Sequence, residues 1–335
     1  MAPAGRTGYR RRGMRVVSLT VSVDTEEDQW GPGQGEPTVE NVRALGAAHR
    51  QLISRGLRST WFCTQPVVET PFSLDVLREL RATGHAELGA HLHPWTTRPF
   101  HPGCSSMLHA LPAALQHAKL ASLTESLEVA LGVTAPPFRA GRWALGPETA
   151  QALLALGYRI DSSVMPGMAW ASDDGRVDYL RAARAPHRFE PSGIGTPNAR
   201  GTLVEIPVSV GCTRPGHALW DTIAPTVRSL APLRRLSTAI HHTGLLRKVQ
   251  LTPEIGEPRD LAAATRALIE DGATHLHVFW HSQSHSPPAH FVRTAADVTT
   301  FWRRLDAILD AAHAHATIRP ATVSEVAAAY LPRAP

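Results

Sequence analysis

The chain has 335 residues, of which 43% are hydrophobic and 19% are charged, so it can bury one large α/β core in a single domain. The formal net charge is +5, but residues 1–15 hold five arginines and no acid, and the remaining 29 basic and 29 acidic residues balance. The excess charge therefore lies in a basic tail, residues 1–14, which we expect to be disordered. This placement argues against a nucleic-acid-binding groove on the folded part.

The first apolar stretch does not have the form of an export signal. Ser18, Thr20 and Ser22 interrupt it and it ends in acids, so it lacks the continuous apolar region of a signal peptide. No later window predicts a transmembrane segment. The three cysteines form no CxxC pair, which favours a reducing compartment. We therefore expect a cytoplasmic protein, and the sequence does not indicate its oligomeric state.

Strand-like and helix-like segments alternate along the first half of the chain. The predicted strands are 15–24, 59–63, 86–90, 137–139 and 158–161, and the predicted helices are 38–55, 73–83, 112–132 and 147–156. Two segments lack this periodicity, 94–111 and 162–202. We expect both to be loop insertions that shape a substrate pocket.

The second half continues with one long helical region and a late strand. The predicted elements are a strand at 203–208, helices at 217–247, 258–271 and 295–315, a strand at 275–281 and a last helix. Thr322 and Glu325 form a capping box that predicts where the last helix begins. We see no linker that would separate a second domain, so residues 15–332 are treated as one domain.

Alternating strands and helices predict a mainly parallel sheet, either an open doubly wound sheet or a closed barrel. Polar residues follow several of the predicted strands at their C-terminal ends. These residues are Asp24, Glu26, His91, His93, Arg139, Asp161 and His281. In a barrel all such ends converge on one mouth, whereas an open sheet concentrates them at a switch point. Five contributing strands favour the barrel.

Two pairs of these residues share a strand face. Asp24 and Glu26 are two positions apart, as are His91 and His93, and side chains two apart on a strand point the same way. Carboxylates and imidazoles at strand ends are the ligands of hydrolytic metal sites. An isolated HxH sequence is also compatible with a merely polar strand end.

Five ordered motifs resemble the polysaccharide deacetylase (NodB-homology) superfamily, of the carbohydrate esterase type, over roughly residues 16–330. The motifs are SVDTEED at 22–28, ELGAHLHPW at 87–95, FRAGRW at 138–143, DSS at 161–163 and FWHS at 279–282. The resemblance implies an α/β fold, a distorted, incomplete (β/α) barrel that is TIM-like and seven-stranded. It also implies a divalent-metal-dependent hydrolysis of N-acetyl groups on sugars.

The resemblance implies catalytic roles for four residues. Asp24 matches the general base of the first motif, and His281 matches the general acid of the last motif. Arg139 matches the residue that orients the base. Asp161 matches the residue that orients the acid, and we expect it to hold an imidazole in one tautomer.

The resemblance also implies a metal site, with two departures from the family pattern. Glu26 replaces the more usual aspartate, and Trp95 stands where the family has its second histidine, so His91 and His93 would supply the two imidazoles. The expected ion is zinc, with cobalt, manganese or nickel as alternatives. Asp28 is either an exposed loop acid or an extra ligand.

Three further residues are candidates for substrate binding. Trp95 and Trp143 adjoin the catalytic segments, and aromatic rings at a barrel mouth stack on sugar faces, although both could also be core residues. Arg142 is either a solvated loop charge or a clamp for a carboxylate or phosphate.

These features together predict a metal-dependent carbohydrate N-deacetylase. The expected substrate is an N-acylated sugar or glycoconjugate, and a cytoplasmic setting favours a biosynthetic intermediate over a finished polymer. One alternative is hydrolysis of another non-peptide C–N bond in a small amide. Another is a non-catalytic carbohydrate-binding relative whose metal site is empty.

Overall fold

A computed structural model describes residues 14–29, 31, 33, 35–101, 103–217 and 246–331. The basic tail, apart from its last residue, lies outside the described residues. So does nearly all of the helix predicted at 217–247, together with residue 332 at the end of the predicted domain.

The described chain contains strands and helices in alternation. The strands are β1 Val16–Thr25, β2 Ser59–Cys63, β3 Ala86–Leu92, β4 Phe138–Ala140, β5 Ile160–Asp161, β6 Ala169–Ser172, β7 Gly175–Asp178, β8 His187–Phe189, β9 Leu203–Glu205, β10 Val210–Cys212, β11 Lys248–Gln250, β12 His275–His281 and β13 Thr317–Pro320. The helices are α1 Leu45–Ser54, α2 Gln65–Glu69, α3 Pro71–Ala82, α4 Ala113–Leu131, α5 Pro147–Ala155, α6 Pro258–Glu270, α7 Ala295–His315 and α8 Val323–Ala327.

One curved sheet organises the fold. Seven of the described strands run parallel in the order β12-β1-β2-β3-β4-β5-β9, and β8 adds an antiparallel edge beside β9. Strand β13 pairs in parallel with the first part of β1. Within the described ranges β12 and β8 do not pair with each other, so the barrel stays open. The predicted α/β fold class, an incomplete (β/α) barrel, is confirmed.

Strand β1 shows how the sequence builds the barrel. Val17, Leu19 and Val21 are fully buried in the main apolar core, which also takes in residues of α1, α3, α4, α6 and α7. The alternate residues include Ser22 and Asp24, which are also buried but bond to polar groups of β12 and β4. A parallel strand that is covered on both faces buries both of its sets of side chains. In β1 the polar set is the one that faces the site.

The helix ends follow local sequence signals. Thr322 accepts a hydrogen bond from the backbone N–H of Glu325, and Glu325 accepts one from the N–H of Thr322, so the predicted capping box is confirmed. Thr294 and Asp297 form a second capping box at the start of α7.

The segment 162–202 is more ordered than the sequence pattern indicated. It contains the β6–β7 hairpin and β8, and strands β10, β11 and β13 were also missed in the sequence. Each of these strands has only three or four paired residues, too few for a periodic signal. No helix of the described residues is both long enough and apolar enough to cross a membrane.

Candidate active site and metal centre

Strand register brings the predicted site residues to one edge of the sheet. Asp24 on β1 lies directly beside His281 on β12, and His91 on β3 lies beside Arg139 on β4. All four strands are parallel, so their C-terminal ends meet at the same mouth.

Glu26, His91 and His93 form a compact, buried group that could hold a metal ion. One ligand atom from each lies within 4.8 Å of the others. The Oε2 atom of Glu26 is 3.4 Å from Nε2 of His91 and 3.2 Å from Nε2 of His93. All three side chains are nearly inaccessible to solvent.

In both imidazoles the second ring nitrogen, Nδ1, donates a hydrogen bond to an oxygen. Nδ1 of His91 donates to the backbone carbonyl of Arg139 over 2.9 Å, and Nδ1 of His93 donates to Oε2 of Glu27 over 2.8 Å. An imidazole that donates through Nδ1 and is otherwise neutral presents a lone pair at Nε2. The two lone pairs then face a carboxylate oxygen, and a divalent cation between them suits this donor set.

Glu27 is a site residue that the sequence analysis missed. Its second carboxylate oxygen accepts from Thr96, and its backbone carbonyl accepts from Gln283. Burial lowers the pKa of His93, but the charges and hydrogen bonds of Glu27 and Glu26 outweigh this and raise it to about 10. The pocket thus attracts positive charge at this position, whether a proton or a metal ion.

Asp24 is held by a buried arginine. Nη1 of Arg139 donates to Oδ1 of Asp24 over 2.6 Å, while its Nε and Nη2 donate to the carbonyl and hydroxyl of Ser162. The guanidinium also lies 4.3 Å from the ring centroid of Phe62 and 4.9 Å from that of Trp143. These contacts fix the position of the carboxylate at the rim of the metal group.

His281 is oriented by Glu254, a second residue that the sequence analysis missed. Nδ1 of His281 is 3.0 Å from Oε2 of Glu254, and the backbone N–H of His281 donates to Oε1 over 2.9 Å. Burial lowers the pKa of His281, but Glu254, followed by Glu26 and Asp24, raises it to about 10. Glu254 comes four residues after a three-residue strand, so the only sequence signal was an acid shortly after a weak strand.

Among the described residues Asp161 holds no imidazole, contrary to the expectation from the sequence. Its two carboxylate oxygens accept from the hydroxyl and backbone N–H of Ser163, and it lies opposite Glu205 in the β5–β9 register. Ser163 in turn accepts from the backbone N–H of Ala140, just after Arg139. The reason is topological: four strands lie between β5 and β12, so Asp161 braces the end of β4 and Glu254 takes the place beside His281.

Asp161 and Glu205 form a buried carboxyl pair. Burial raises the pKa of Glu205 well above its ordinary value, and the charge of Asp161 raises it further. Two buried carboxyls this close share a proton, since both cannot be ionised at acceptable cost. Burial and mutual repulsion therefore favour protonation of one carboxyl of the pair at the base of the site.

The candidate substrate residues surround the metal group. The ring of Trp95 stacks on His93 with centroids 4.3 Å apart and an angle of 18°. Arg142 is exposed, with its guanidinium 5.5 Å from the centroid of Trp95. Trp143 is half-buried and packs edge-on against Phe279 at 4.9 Å. Trp95, which stands where the family pattern has its second histidine, thus covers one face of the His93 ring.

The turn after β4 is strained where it approaches the site. Arg142 and Trp143 have φ angles of 54° and 60°, a left-handed conformation that costs roughly 1 to 3 kcal/mol at each residue. Gly141, just before them, has no room for a side chain, because a Cβ would lie 2.5 Å from Cδ2 of His93. The close approach of this backbone to the ligand therefore requires glycine.

Asp28 lies outside the metal group. Its carboxylate accepts from Thr38 and from the backbone N–H groups of Glu40 and Asn41, at the start of the 3-10 turn Glu40–Ala44. It therefore anchors the loop after β1.

These side chains open onto a cavity of about 510 Å³. Its lining includes the residues Asp24, Glu26, His91, His93, Trp95, Arg142, Trp143, Glu254 and His281. A cavity of this size is in the range that encloses a small organic ligand. The convergence of titratable groups in it identifies the candidate active site.

No protein-family model matches the chain, and no curated protein sequence matches it significantly. Among solved structures, a candidate glycoside hydrolase/deacetylase from Parabacteroides distasonis is 14% identical, with 93% of this chain and 70% of that chain covered and a TM-score of 0.51. The chain shares the fold of that protein. The resemblance seen in the motifs is thus confirmed at the level of the fold.

Two other solved structures match over nearly the whole chain with lower TM-scores. A candidate polysaccharide deacetylase from Mycobacterium smegmatis is 18% identical, covers 99% of this chain and 96% of that chain, and has a TM-score of 0.48. The chitin deacetylase from the fungal pathogen Colletotrichum lindemuthianum is 15% identical, with 97% and 90% covered and a TM-score of 0.42.

Proposed function

We propose that the chain is a metal-dependent hydrolase that removes the N-acetyl group from an amino sugar or glycoconjugate. The observation that carries this proposal is the arrangement of Glu26, His91 and His93, in which both Nδ1 atoms are bound elsewhere and both Nε2 atoms face one carboxylate oxygen. Because both Nδ1 atoms donate to other oxygens, this arrangement favours a cation-binding site over a purely structural hydrogen-bonded group.

The three residues would hold one divalent ion. Two imidazoles and a carboxylate are a common catalytic zinc set that leaves coordination positions open, and cobalt, manganese or nickel would fit the same donors. When bound, such an ion lowers the pKa of water to about 7 and polarises a carbonyl oxygen.

The remaining side chains would move the protons. Asp24 would accept a proton from the attacking water, and Arg139 holds its carboxylate in place. His281 would donate a proton to the leaving amine nitrogen. Glu254 binds Nδ1 of His281, so Nε2 would deliver that proton.

Trp95, Trp143 and Arg142 would contact the sugar part of the substrate. All three line the same cavity as the metal group, and tryptophan rings stack on sugar faces. The cytoplasmic, biosynthetic setting expected from the sequence belongs to this proposal and stays a prediction.

Acetate release from a panel of N-acetylated sugars tests the proposed reaction. We expect release by the purified protein, its loss after dialysis against a chelator and its recovery when zinc is added. Ammonia or an amine other than an amino sugar released from a small amide would favour the alternative C–N hydrolase. Sugar binding without any hydrolysis by metal-loaded protein would favour the non-catalytic alternative.

A further inference from the structure

Part of the cavity wall is apolar and rich in methionine. The chain has five methionines, and the three beyond residue 14 all line this cavity. Together with two aromatic residues of the same wall they form what we call the methionine lobe, which consists of Met107, Met165, Met168, Trp170 and Phe279.

The insertion after β5 supplies Met165, Met168 and Trp170 of the lobe, while Met107 comes from the segment after β3 and Phe279 from β12. Most of the lobe's residues belong to a separate apolar cluster, with Tyr179 and Val177 of the β6–β7 region packed behind them. Tyr179 donates from its hydroxyl to the carbonyl of Trp143 over 2.7 Å, and its ring lies edge-on to Trp170. The insertion therefore holds the lobe against the turn that follows β4.

The lobe can still receive a ligand. Met107 and Met165 are nearly buried, whereas Met168 and Trp170 are half-buried and face the cavity that contains the metal group. Methionine side chains are flexible and polarisable, and they adapt to apolar ligands of varied shape.

The chemistry of the lobe does not match a sugar ring. Hydroxyl groups buried against thioether and hydrocarbon surface lose their hydrogen bonds to water without replacement, which is unfavourable. The acetyl group brings one methyl, far less than a wall of five large apolar side chains can cover. The lobe therefore requires additional apolar surface on the ligand.

We propose that the methionine lobe binds an alkyl chain of the substrate, a proposal that rests on the function proposed above. The chain can belong to an N-acyl group longer than acetyl or to an alkyl or lipid aglycone of an N-acetylated amino sugar. In both cases the chain and the scissile amide occupy one continuous cavity.

Two substrate series tell the two sources apart. The first is glucosamine carrying N-acetyl, N-butanoyl, N-hexanoyl or N-octanoyl groups, and the second is N-acetylglucosamine as its methyl, hexyl or decyl β-glycoside. We expect kcat/KM to rise with chain length in one series, by up to about fourfold per methylene group until the lobe is filled. Flat or falling values in both series would overturn the proposal.

Substitution of the lobe provides the matched test. Met168→Gln should lower the ratio of kcat/KM for the longest to the shortest chain by at least about tenfold, and Met165→Gln is a second variant in case the first misfolds. Met14→Gln, the same change at an exposed methionine, should leave the ratio as in the wild type. An unchanged ratio in both folded lobe variants would contradict the assignment.

Calorimetric binding of the decyl glycoside and of N-octanoylglucosamine separates this proposal from the proposed reaction. Binding that strengthens with chain length and weakens in Met168→Gln, with no hydrolysis of any compound, would support the lobe and refute the deacetylase. Acetate release that does not depend on chain length would support the deacetylase and refute the lobe. Neither binding nor hydrolysis of any chain would refute both.

Discussion

Asp24 is the side chain whose chemical role is most sharply defined by its surroundings. It sits at the end of β1 with one oxygen bound to a fully buried arginine, at the edge of the metal group. A carboxylate held in this position can accept a proton from water without moving.

Asp24→Asn should therefore lower turnover by at least roughly a hundredfold while leaving the fold and metal content intact. The amide keeps the shape and the contact with Arg139 but cannot act as a base. Steady-state kinetics of acetate release, with metal analysis of the same preparation, would check this. Asp75→Asn, the same change at an exposed surface pair with Arg78, is the control. Turnover near that of the wild type would remove Asp24 from the role of base.

Glu254 acts through His281, so its effect should be visible in a pH profile. The carboxylate raises the pKa of His281, so Glu254→Gln should lower that pKa and move the alkaline limb of kcat/KM to lower pH. The sign follows because the acid must be protonated, and a lower pKa means that the proton is lost earlier as pH rises. A uniform loss of activity at every pH would show that Glu254 has only a structural role.

A substitution at Gly141 tests whether the close approach of the turn backbone positions the metal ligand His93. Gly141→Ala would place a methyl group 2.5 Å from the ring of His93 and from the carbonyl of Leu92, so His93 must shift. We expect at least about a tenfold loss in metal affinity, measured by competition with a chelating dye. Gly46→Ala, whose Cβ would meet only Arg50 at 3.6 Å, should bind metal as the wild type does. Equal affinities in the two variants would contradict this view of the turn.

Pairing between elements explains features that individual residues do not. The β5–β9 register places Asp161 opposite Glu205 with no room for solvent, and the bond from Ser163 to Asp161 joins this pair to the end of β4. The carboxyl pair therefore couples three strands beneath the site.

The raised pKa of Glu205 predicts a specific pH dependence of stability. A carboxyl that binds its proton more tightly in the folded state stabilises the fold at low pH, and this contribution is lost as pH rises from about 4.3 through the raised value. Glu205→Gln should remove this component, so the variant should gain stability relative to the wild type as pH rises. Urea unfolding across this pH range measures the difference, with the exposed Glu79→Gln as control. A difference that is constant with pH would refute the shared-proton pair.

At the scale of the whole molecule, the sequence predicted those features that follow from the periodicity of the strands and from the positions where the strands end. Strand β12 was predicted at its observed residues, and Asp24, Glu26, His91 and His93 were predicted to meet because parallel strands end at one mouth. The Thr322 and Glu325 capping box is a local signal and was equally readable.

The sequence could not predict contacts between distant short segments. Glu254 follows a three-residue strand, and its pairing with His281 depends on the β1–β12 edge and the β10–β11 pair. Glu27 adjoins Glu26, and the alternation of a strand would place only one of two successive side chains on the site, whereas both carboxylates contact His93. The family motif suggested a histidine partner for Asp161, but the partner depends on the strand order.

Metal content tests the central claim most directly. Wild-type protein dialysed against zinc and then buffer should retain about one ion per chain by mass spectrometry, while His91→Ala and His93→Ala should each lose most of it. The exposed His117→Ala should retain the ion as the wild type does. No retained metal in the wild type, or full occupancy in both ligand variants, would contradict the assignment of Glu26, His91 and His93 as the metal centre.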